Sequence, residues 1–275
     1  MTSELIETLP PIDLDTLRDL NCGRRRDRKY ILTDEAADDF AASLPLTTMV
    51  LTIDDMREFG YESMYFDTGD LMCFHMAARG RRRRFKIRTR HYLATDQTWL
   101  EVKTKGPRGL TVKDRTQFDG CLDLTWVQTI LAIRGIVQVP VDQLVPTAEV
   151  SYTRSTLLLP DLTRITIDKD LHWHSYETTR SLPGQVIVET KTPGHANLAD
   201  RWLWGHGIRP TRISKYATGM AMLFPELASN RWHRTLARLH EIQEKDNETT
   251  QSFDIDDSLF GAADSHRLYA HRLVG

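Results

Sequence analysis

The feature that most constrains this chain is a set of strand-length segments in which every second residue is charged, most often basic. In Arg84–Tyr92 (RFKIRTRHY), Arg84, Lys86, Arg88 and Arg90 alternate with Phe85, Ile87 and Thr89. Residues two apart share a face of a β-strand, so one face of this segment is cationic and the other largely apolar. The pattern recurs along the chain. Glu101, Lys103 and Lys105 lie opposite Leu100 and Val102, and Lys113 shares a face with Arg115. Arg164, Thr166 and Asp168 lie opposite Ile165 and Ile167, Glu189 and Lys191 opposite Val188, and Asp27 and Lys29 form one more pair. A solvated sheet face usually mixes signs, because like charges on neighbouring strands repel. These faces are mostly basic, with at most one acid each. That balance favours a polyanion and a metal ion between the strands over an ordinary outer surface.

The overall charge conceals this arrangement. There are 36 basic and 38 acidic side chains, a formal net charge of −2. Between Arg79 and Arg115, however, thirteen basic residues face only Asp96, Glu101 and Asp114, so this segment carries +10 and the remainder −12. The total excludes a globally cationic nucleic-acid binder and a disordered polyelectrolyte, and the local excess argues for a specific anion site. Few aromatic residues interleave with the cations, so no nucleic-acid partner is expected. No run reaches the about 18 apolar residues of a membrane-spanning helix. The opening MTSELIETLPPIDLD has no signal-peptide core. Cys22, Cys73 and Cys121 are far apart, which suggests reduced thiols and no zinc spacing. The expected location is cytoplasmic, with no direct membrane insertion.

Helices are expected over Asp34–Leu44 with Thr33 as N-cap, Leu124–Arg134, Ala196–Trp204 and Ser214–Phe224. Strands are expected at Ser63–Asp67, Arg84–Tyr92, Thr98–Lys105, Leu110–Phe118, Glu149–Leu158, Thr163–Asp168, Leu171–Thr178 and Gln185–Thr192. Turn signals, among them Lys105–Gly106–Pro107, separate them. The fold class is therefore mainly β (α+β): a closed antiparallel β-barrel tunnel of about eight strands with a few flanking helices. Residues 1–20 read as a loosely attached lead-in or short helix, 21–227 as the tunnel domain, and 228–275 as a polar, partly mobile tail despite a weak Leu236, Leu239, Ile242 stripe. A barrel of this size encloses one narrow ligand. A chain of phosphates suits that shape, with Arg gripping its oxygens in pairs and Lys acting as point charges.

The segments DRKY (27–30), YFDT (65–68), RFKIRTRHY (84–92), LEVKTK (100–105), KDR (113–115), YTRS (152–155), TRITID (163–168), VIVETK (186–191) and SKY (214–216) follow one another in order. Together they resemble the catalytic domain of vacuolar transporter chaperone (VTC) polyphosphate polymerases, within the triphosphate tunnel metalloenzyme or CYTH-like superfamily. The resemblance spans about residues 24–224. It implies a metal-dependent phosphotransferase that uses ATP with Mn²⁺ or Mg²⁺ and adds the terminal phosphoryl group to a growing inorganic polyphosphate. On that resemblance Lys29, Arg88, Arg90, Lys191 and Lys215 become catalytic cations. Lys86, Lys103, Lys105, Lys113, Arg115, Arg154, Arg164 and Tyr216 become substrate ligands. Glu189 becomes the metal ligand, Glu101 either assists it or orients a lysine, and Asp168 is a third carboxylate. Asp27 stands where many relatives carry Glu. Any attachment to the inner face of a membrane would come from a separate membrane-protein partner.

The same resemblance leaves an inorganic triphosphatase or polyphosphatase, or a binding-only module, as alternatives. No P-loop is present. Tyr65 and Phe66 read as strand core, Asp67 as a turn residue, and His172 and His174 as ordinary strand histidines. Trp202 and Trp204 read as anchors of a short helix. Arg79 and Arg81–Arg83 read as a solvated loop that steers polyanions to the tunnel mouth.

Overall fold

The computed structural model of the protein describes residues 2–20, 26–106, 111–192 and 195–240. Cys22, the turn at Pro107, the first residue of the strand expected from Leu110, and the tail beyond residue 240 lie outside the described residues. The chain begins with α1 (Thr2–Thr8), β1 (Pro11–Ile12), α2 (Leu14–Asp19), β2 (Arg26–Thr33), α3 (Asp34–Ala42) and β3 (Met49–Leu51). It continues through β4 (Phe59–Thr68), α4 (Met72–Ala78), β5 (Phe85–Tyr92), β6 (Gln97–Lys105), β7 (Thr111–Gln117) and α5 (Leu124–Ile133). Then come β8 (Leu144–Leu158), β9 (Arg164–Ser175), β10 (Thr178–Ser181), β11 (Gln185–Thr192), α6 (Leu198–Gly205) and α7 (Lys215–Leu223). Residues 233–240 are helical.

All eleven strands join one sheet, whose main path runs β2-β11-β9-β8-β4-β5-β6-β7. Every pairing along that path is antiparallel. The path has eight strands, but the expected Thr163–Asp168 and Leu171–Thr178 fuse into the one strand β9, β2 takes the eighth place, and the expected closure is absent. Among the described residues the two end strands, β2 and β7, do not pair. The physical reason lies at both edges. Side chains of β7 alternate between exposed and half-exposed, so neither of its faces is sealed. The free edge of β2 is occupied by the segment before α7, where the Thr211 N–H donates to the Lys29 carbonyl at 2.7 Å. Three residues later Ser214 Oγ accepts from Lys86 Nζ of β5 at 2.5 Å. A connecting segment, not a strand ladder, thus runs between the two halves of a curled sheet.

Two apolar clusters hold the curl. Outside β2, β11 and β9, the helices α1, α3 and α6 cover Tyr30, Leu32, Val188, Ile165 and Ile167 with Ile6, Phe40 and Leu203. Asp200 of α6 is fully buried there and accepts from Arg28, Tyr30 and Thr190, each at 2.7 Å. Outside β5 and β6, Val127 and Leu131 of α5 lie in one cluster with Ile87, Leu100 and Val102. The apolar side of each alternating strand goes to these helices, which leaves the charged side for the concave face.

Helices α3, α5, α6 and α7 begin on side-chain caps at Thr33, Asp123, Asn197 and Ser214. The lead-in is not loose: Ile6, Leu9, Ile12 and Leu17 are all buried. Nor is the stretch from 228 to 240 merely polar, because Trp232, Leu236 and Leu239 enter the main core. Asp67 is a further departure from expectation. It is fully buried and accepts from the Cys73 and Phe74 N–H groups of α4, at 2.7 and 2.9 Å, and from the Tyr216 hydroxyl of α7 at 2.5 Å. The N-cap position of α4, Leu71, makes no side-chain cap bond, so Asp67 fills that role from the neighbouring strand.

Helix α7 seats on the sheet through a close approach. Trp173 Nε1 donates to the Lys215 carbonyl at 2.6 Å, and a Cβ added at Gly219 would stand 2.2 Å from Trp173 Cδ1. Gly219→Ala is therefore expected to push α7 away from β9 and to destabilise the fold by about 1–3 kcal/mol. Urea unfolding checks this; an unchanged midpoint would contradict the packing.

Candidate functional site

The registers of the sheet bring the alternating charges onto one face. Arg88 pairs with Tyr65 on one side and Glu101 on the other, and Glu101 pairs in turn with Arg115. Lys86 pairs with Lys103, and Lys103 with Lys113. On the other half, Arg154 is opposite Asp168, Thr166 opposite Glu189, and Glu189 opposite Lys29. Lys191 lies between Arg164 and Asp27. The concave face therefore collects Lys29, Lys86, Arg88, Arg90, Lys103, Lys105, Lys113, Arg115, Arg154, Arg164 and Lys191, joined by Lys215 from α7. Its carboxylates are Asp27, Glu101, Asp168 and Glu189.

Three of those carboxylates are each held by two cations. Glu101, with no exposed surface, receives Arg88 at 2.8 and 2.5 Å and Lys113 at 3.1 Å. Asp168 receives Arg154 in a two-pronged grip at 2.5 and 2.8 Å and Lys215 at 2.5 Å. Glu189 is 2.5 Å from Lys29 and 3.5 Å from Lys191. Burial pushes these carboxyls up, but their cationic neighbours outweigh it. Arg88 with Arg90 and the lysines around it, Arg154 with Lys215, and Lys191 with Lys29 hold the three well below the ordinary carboxylate range.

Among the described residues, Lys86, Arg90 and Lys103 have no such partners. Lys86 donates only to Ser214, Arg90 donates to Ser63 Oγ at 3.2 Å, and Lys103 makes no ion pair among the described residues. Burial lowers Lys86 to about 7, with Arg88, Lys29 and Arg84 adding to the effect. Arg88 holds Lys103 well below its usual value, and burial reinforces this. Burial also brings Lys191 and Lys215 to about 8, against the opposing pull of Glu189 and Asp168 respectively. The influence of Lys29 on Lys86, and of Glu189 on Lys103, brings β2 and β11 within electrostatic reach of β5 and β6 across the curl. Tyr152 contributes a ring face to Lys215 at 4.3 Å and to Arg154 at 5.2 Å.

Some residues singled out in the sequence lie at the margin of this face or off it. Arg115 is exposed and stacks on Trp99 at 4.3 Å. Lys105 bonds Thr111 Oγ1 at 2.7 Å near the sheet edge, and Arg164 donates to the Leu17 carbonyl. Tyr216 is buried, stacked on Tyr65 with ring centroids 5.0 Å apart, and donates its hydroxyl to Asp67. His172 and His174 are exposed on β9. Sequence reasoning passed over Ser63, Ser214 and Tyr152. Arg154 entered through the family resemblance, and strand alternation from it places Tyr152 on the same face; Ser214 carried an N-cap signal.

A family description matches residues 24–224: the VTC domain. The chain belongs to the VTC-domain family. Membership supports a function related to polyphosphate or triphosphate. Among solved structures, the chain is similar to a Vibrio parahaemolyticus protein described as an adenylate cyclase, with 12% identity and a TM-score of 0.42, over 73% of this chain and 99% of that one. It is also similar to a Hippeastrum adenylyl cyclase protein described as having dominant triphosphatase activity, with 13% identity and a TM-score of 0.43, over 71% and 94%. A third similar structure is the PH1819 protein from Pyrococcus horikoshii, with 12% identity and a TM-score of 0.43, over 71% and 98%. No curated protein matches the chain significantly in sequence.

Within this VTC domain, no three His, Cys, Asp or Glu side chains among the described residues are grouped as a metal set. Glu101 and Asp168 have both oxygens held by cations, whereas Glu189 keeps one oxygen only loosely held, 3.5 Å from Lys191. One carboxylate fits a divalent ion that arrives on phosphate oxygens, since Mg²⁺ usually takes one or two carboxylates plus phosphate.

Two pH effects follow from these shifts. With depressed carboxyls, the unfolded chain binds more protons below about pH 4.5, so stability should fall steadily as pH drops from there towards 2. An acid titration followed by circular dichroism checks this, and a flat profile would contradict the ion pairs. The lysines act in the opposite sense for binding. Near pH 8 the empty site holds Lys86, Lys191 and Lys215 partly neutral, so adding tripolyphosphate should draw protons in. Calorimetry in buffers of different ionisation enthalpy should show net uptake, and none would contradict the assignment.

Proposed function

We propose that this chain is a polyphosphate polymerase, transferring the terminal phosphoryl group of ATP to a growing inorganic polyphosphate held along the concave face. The observation that carries the reading is the excess of cations on that face. Lys86, Arg90 and Lys103 are half-buried or buried without a carboxylate partner. Uncompensated charge is costly to bury, and a chain of phosphates supplies the missing negative charge along the face. Membership of the VTC-domain family supports the same substrate class.

Phosphoryl transfer depends mainly on positioning and on charge stabilisation. In this reading Arg88 and Arg154, each aligned by its carboxylate, grip phosphate oxygens with the guanidinium edges left over. Lys29, Lys86, Lys103, Lys191 and Lys215 follow the charge that moves between donor and acceptor. Glu101 and Asp168 act as positioning residues, since both are committed to arginines. Glu189 would hold the divalent metal, which when bound would neutralise charge on the phosphates. The acceptor oxygen belongs to a phosphate already ionised near neutral pH, so no general base is required.

Incubation with ATP and Mn²⁺, followed by separation of the products, tests the reading. Phosphate chains of increasing length are expected. Release of single phosphates without chains would replace it with a triphosphatase, and binding without turnover would leave a polyphosphate-binding module. Glu189→Gln is expected to lose metal-dependent turnover by at least about 100-fold while remaining folded at neutral pH, with a lowered unfolding midpoint because Lys29 and Lys191 lose their carboxylate. Full activity in that variant would remove Glu189 from the site.

A further inference from the structure

A second basic cluster lies outside the concave face. A cavity of about 500 Å³ is lined by Arg212, Arg231, Arg234 and Arg238, together with Trp232 and His233, and no carboxylate lines it. All four arginines are exposed, and none forms an ion pair with another described residue. The stretch 230–240 that carries three of them, a short 3-10 turn followed by the helix over 233–240, is held in place. Trp232, Leu236 and Leu239 enter the main core, and Thr235 Oγ1 donates to the Arg212 carbonyl at 3.1 Å. The arginines are therefore presented by a packed element. Arg231, Arg234 and Arg238 also fall beyond residues 24–224, the part matched by the family.

The cavity borders the loop that leads into β5. The guanidinium of Arg231 lies so close to Gly80 that a Cβ added there would stand 2.4 Å from Nη1. Gly80 has φ +64°, a conformation that suits glycine. In the same loop Arg84 Nη1 donates to the Arg81 carbonyl at 2.9 Å, and two residues further on Lys86 enters the concave face. Arg84 feels Arg231 on one side and acts on Lys86 and Lys105 on the other. Positive charge is thus continuous from the cavity, past Arg84, to the cations of the sheet.

We infer that this arginine-lined cavity is an outer site for inorganic polyphosphate, which holds a distant part of the same chain whose end occupies the concave face. The inference rests on the proposed reading and extends it to chain length. A tripolyphosphate satisfies only the inner site, whereas a long polyphosphate engages both, and tethering makes the second contact effectively intramolecular. Long chains then stay bound between additions and gain affinity with a steep salt dependence.

The test compares tripolyphosphate with a long-chain polyphosphate of defined length on the wild type and on the triple variant Arg231→Gln/Arg234→Gln/Arg238→Gln. The substituted side chains are exposed, and thermal unfolding checks that the fold is kept; if it is not, Arg234→Gln/Arg238→Gln replaces the triple variant. The expected result is a loss of about ten-fold or more for the long chain, a shallower salt dependence, and unchanged tripolyphosphate affinity. Equal losses for both ligands, or no loss for either, would overturn the outer site while leaving the inner one intact. Vesicles containing phosphatidylserine that lose binding in the variant, while long polyphosphate does not, would reassign the cavity to a lipid surface. If the wild type binds neither phosphate ligand, the proposed function itself fails and this inference falls with it.

Discussion

Four carboxylates cannot neutralise a dozen cations gathered on one face of a curled sheet, and the rest of the fold is arranged around that imbalance. The paired groups set the geometry. Glu101 aligns Arg88, Asp168 aligns Arg154 and Lys215, and Glu189 gathers Lys29 and Lys191. The unpaired groups set the chemistry. Lys86, Lys103 and Arg90 remain as basic groups with no carboxylate partner among the described residues, ready to pair with an incoming anion. Packing on the outside, from Phe40 and Leu203 at one end to Val127 and Leu131 at the other, supplies the stability with which such a face can be held in place.

Helix α7 ties these roles together. Its cap residue Ser214 reaches Lys86 of β5, its first residue Lys215 reaches Asp168 of β9, and Tyr216 joins Asp67 and Tyr65 of β4. One turn of helix therefore fixes three strands that are distant in sequence. Gly219 allows this, because only a residue without a side chain lets the helix lie against Trp173. The segment ahead of α7 also takes the free edge of β2, which explains how the sheet curls without closing.

Much of this was legible in the sequence because a period of two is a strong signal when the alternating residues are arginine and isoleucine. The strands Phe85–Tyr92, Gln97–Lys105 and Gln185–Thr192 fall within two residues of where the alternation put them, and pairing then gathers the charges automatically. What could not be read depends on partners far along the chain. Asp67 looks like a turn residue until α4 and α7 bring three donors to it. Tyr216 sits in a basic motif, yet its hydroxyl is committed to that carboxylate. Closure of the sheet was expected from strand count, but the exposure of both faces of β7 and the capture of the β2 edge by Thr211 are tertiary facts. The helix over 233–240 was masked by a polar composition in which only Trp232, Leu236 and Leu239 carry the packing.

The most direct measurement is a crystal structure of the protein with tripolyphosphate bound. The account requires phosphate oxygens within about 3.2 Å of Lys86, Lys103 and Arg90, with the Glu101–Arg88 and Asp168–Arg154 pairs intact behind them. Tripolyphosphate bound elsewhere, with those three cations still unpartnered, would contradict it.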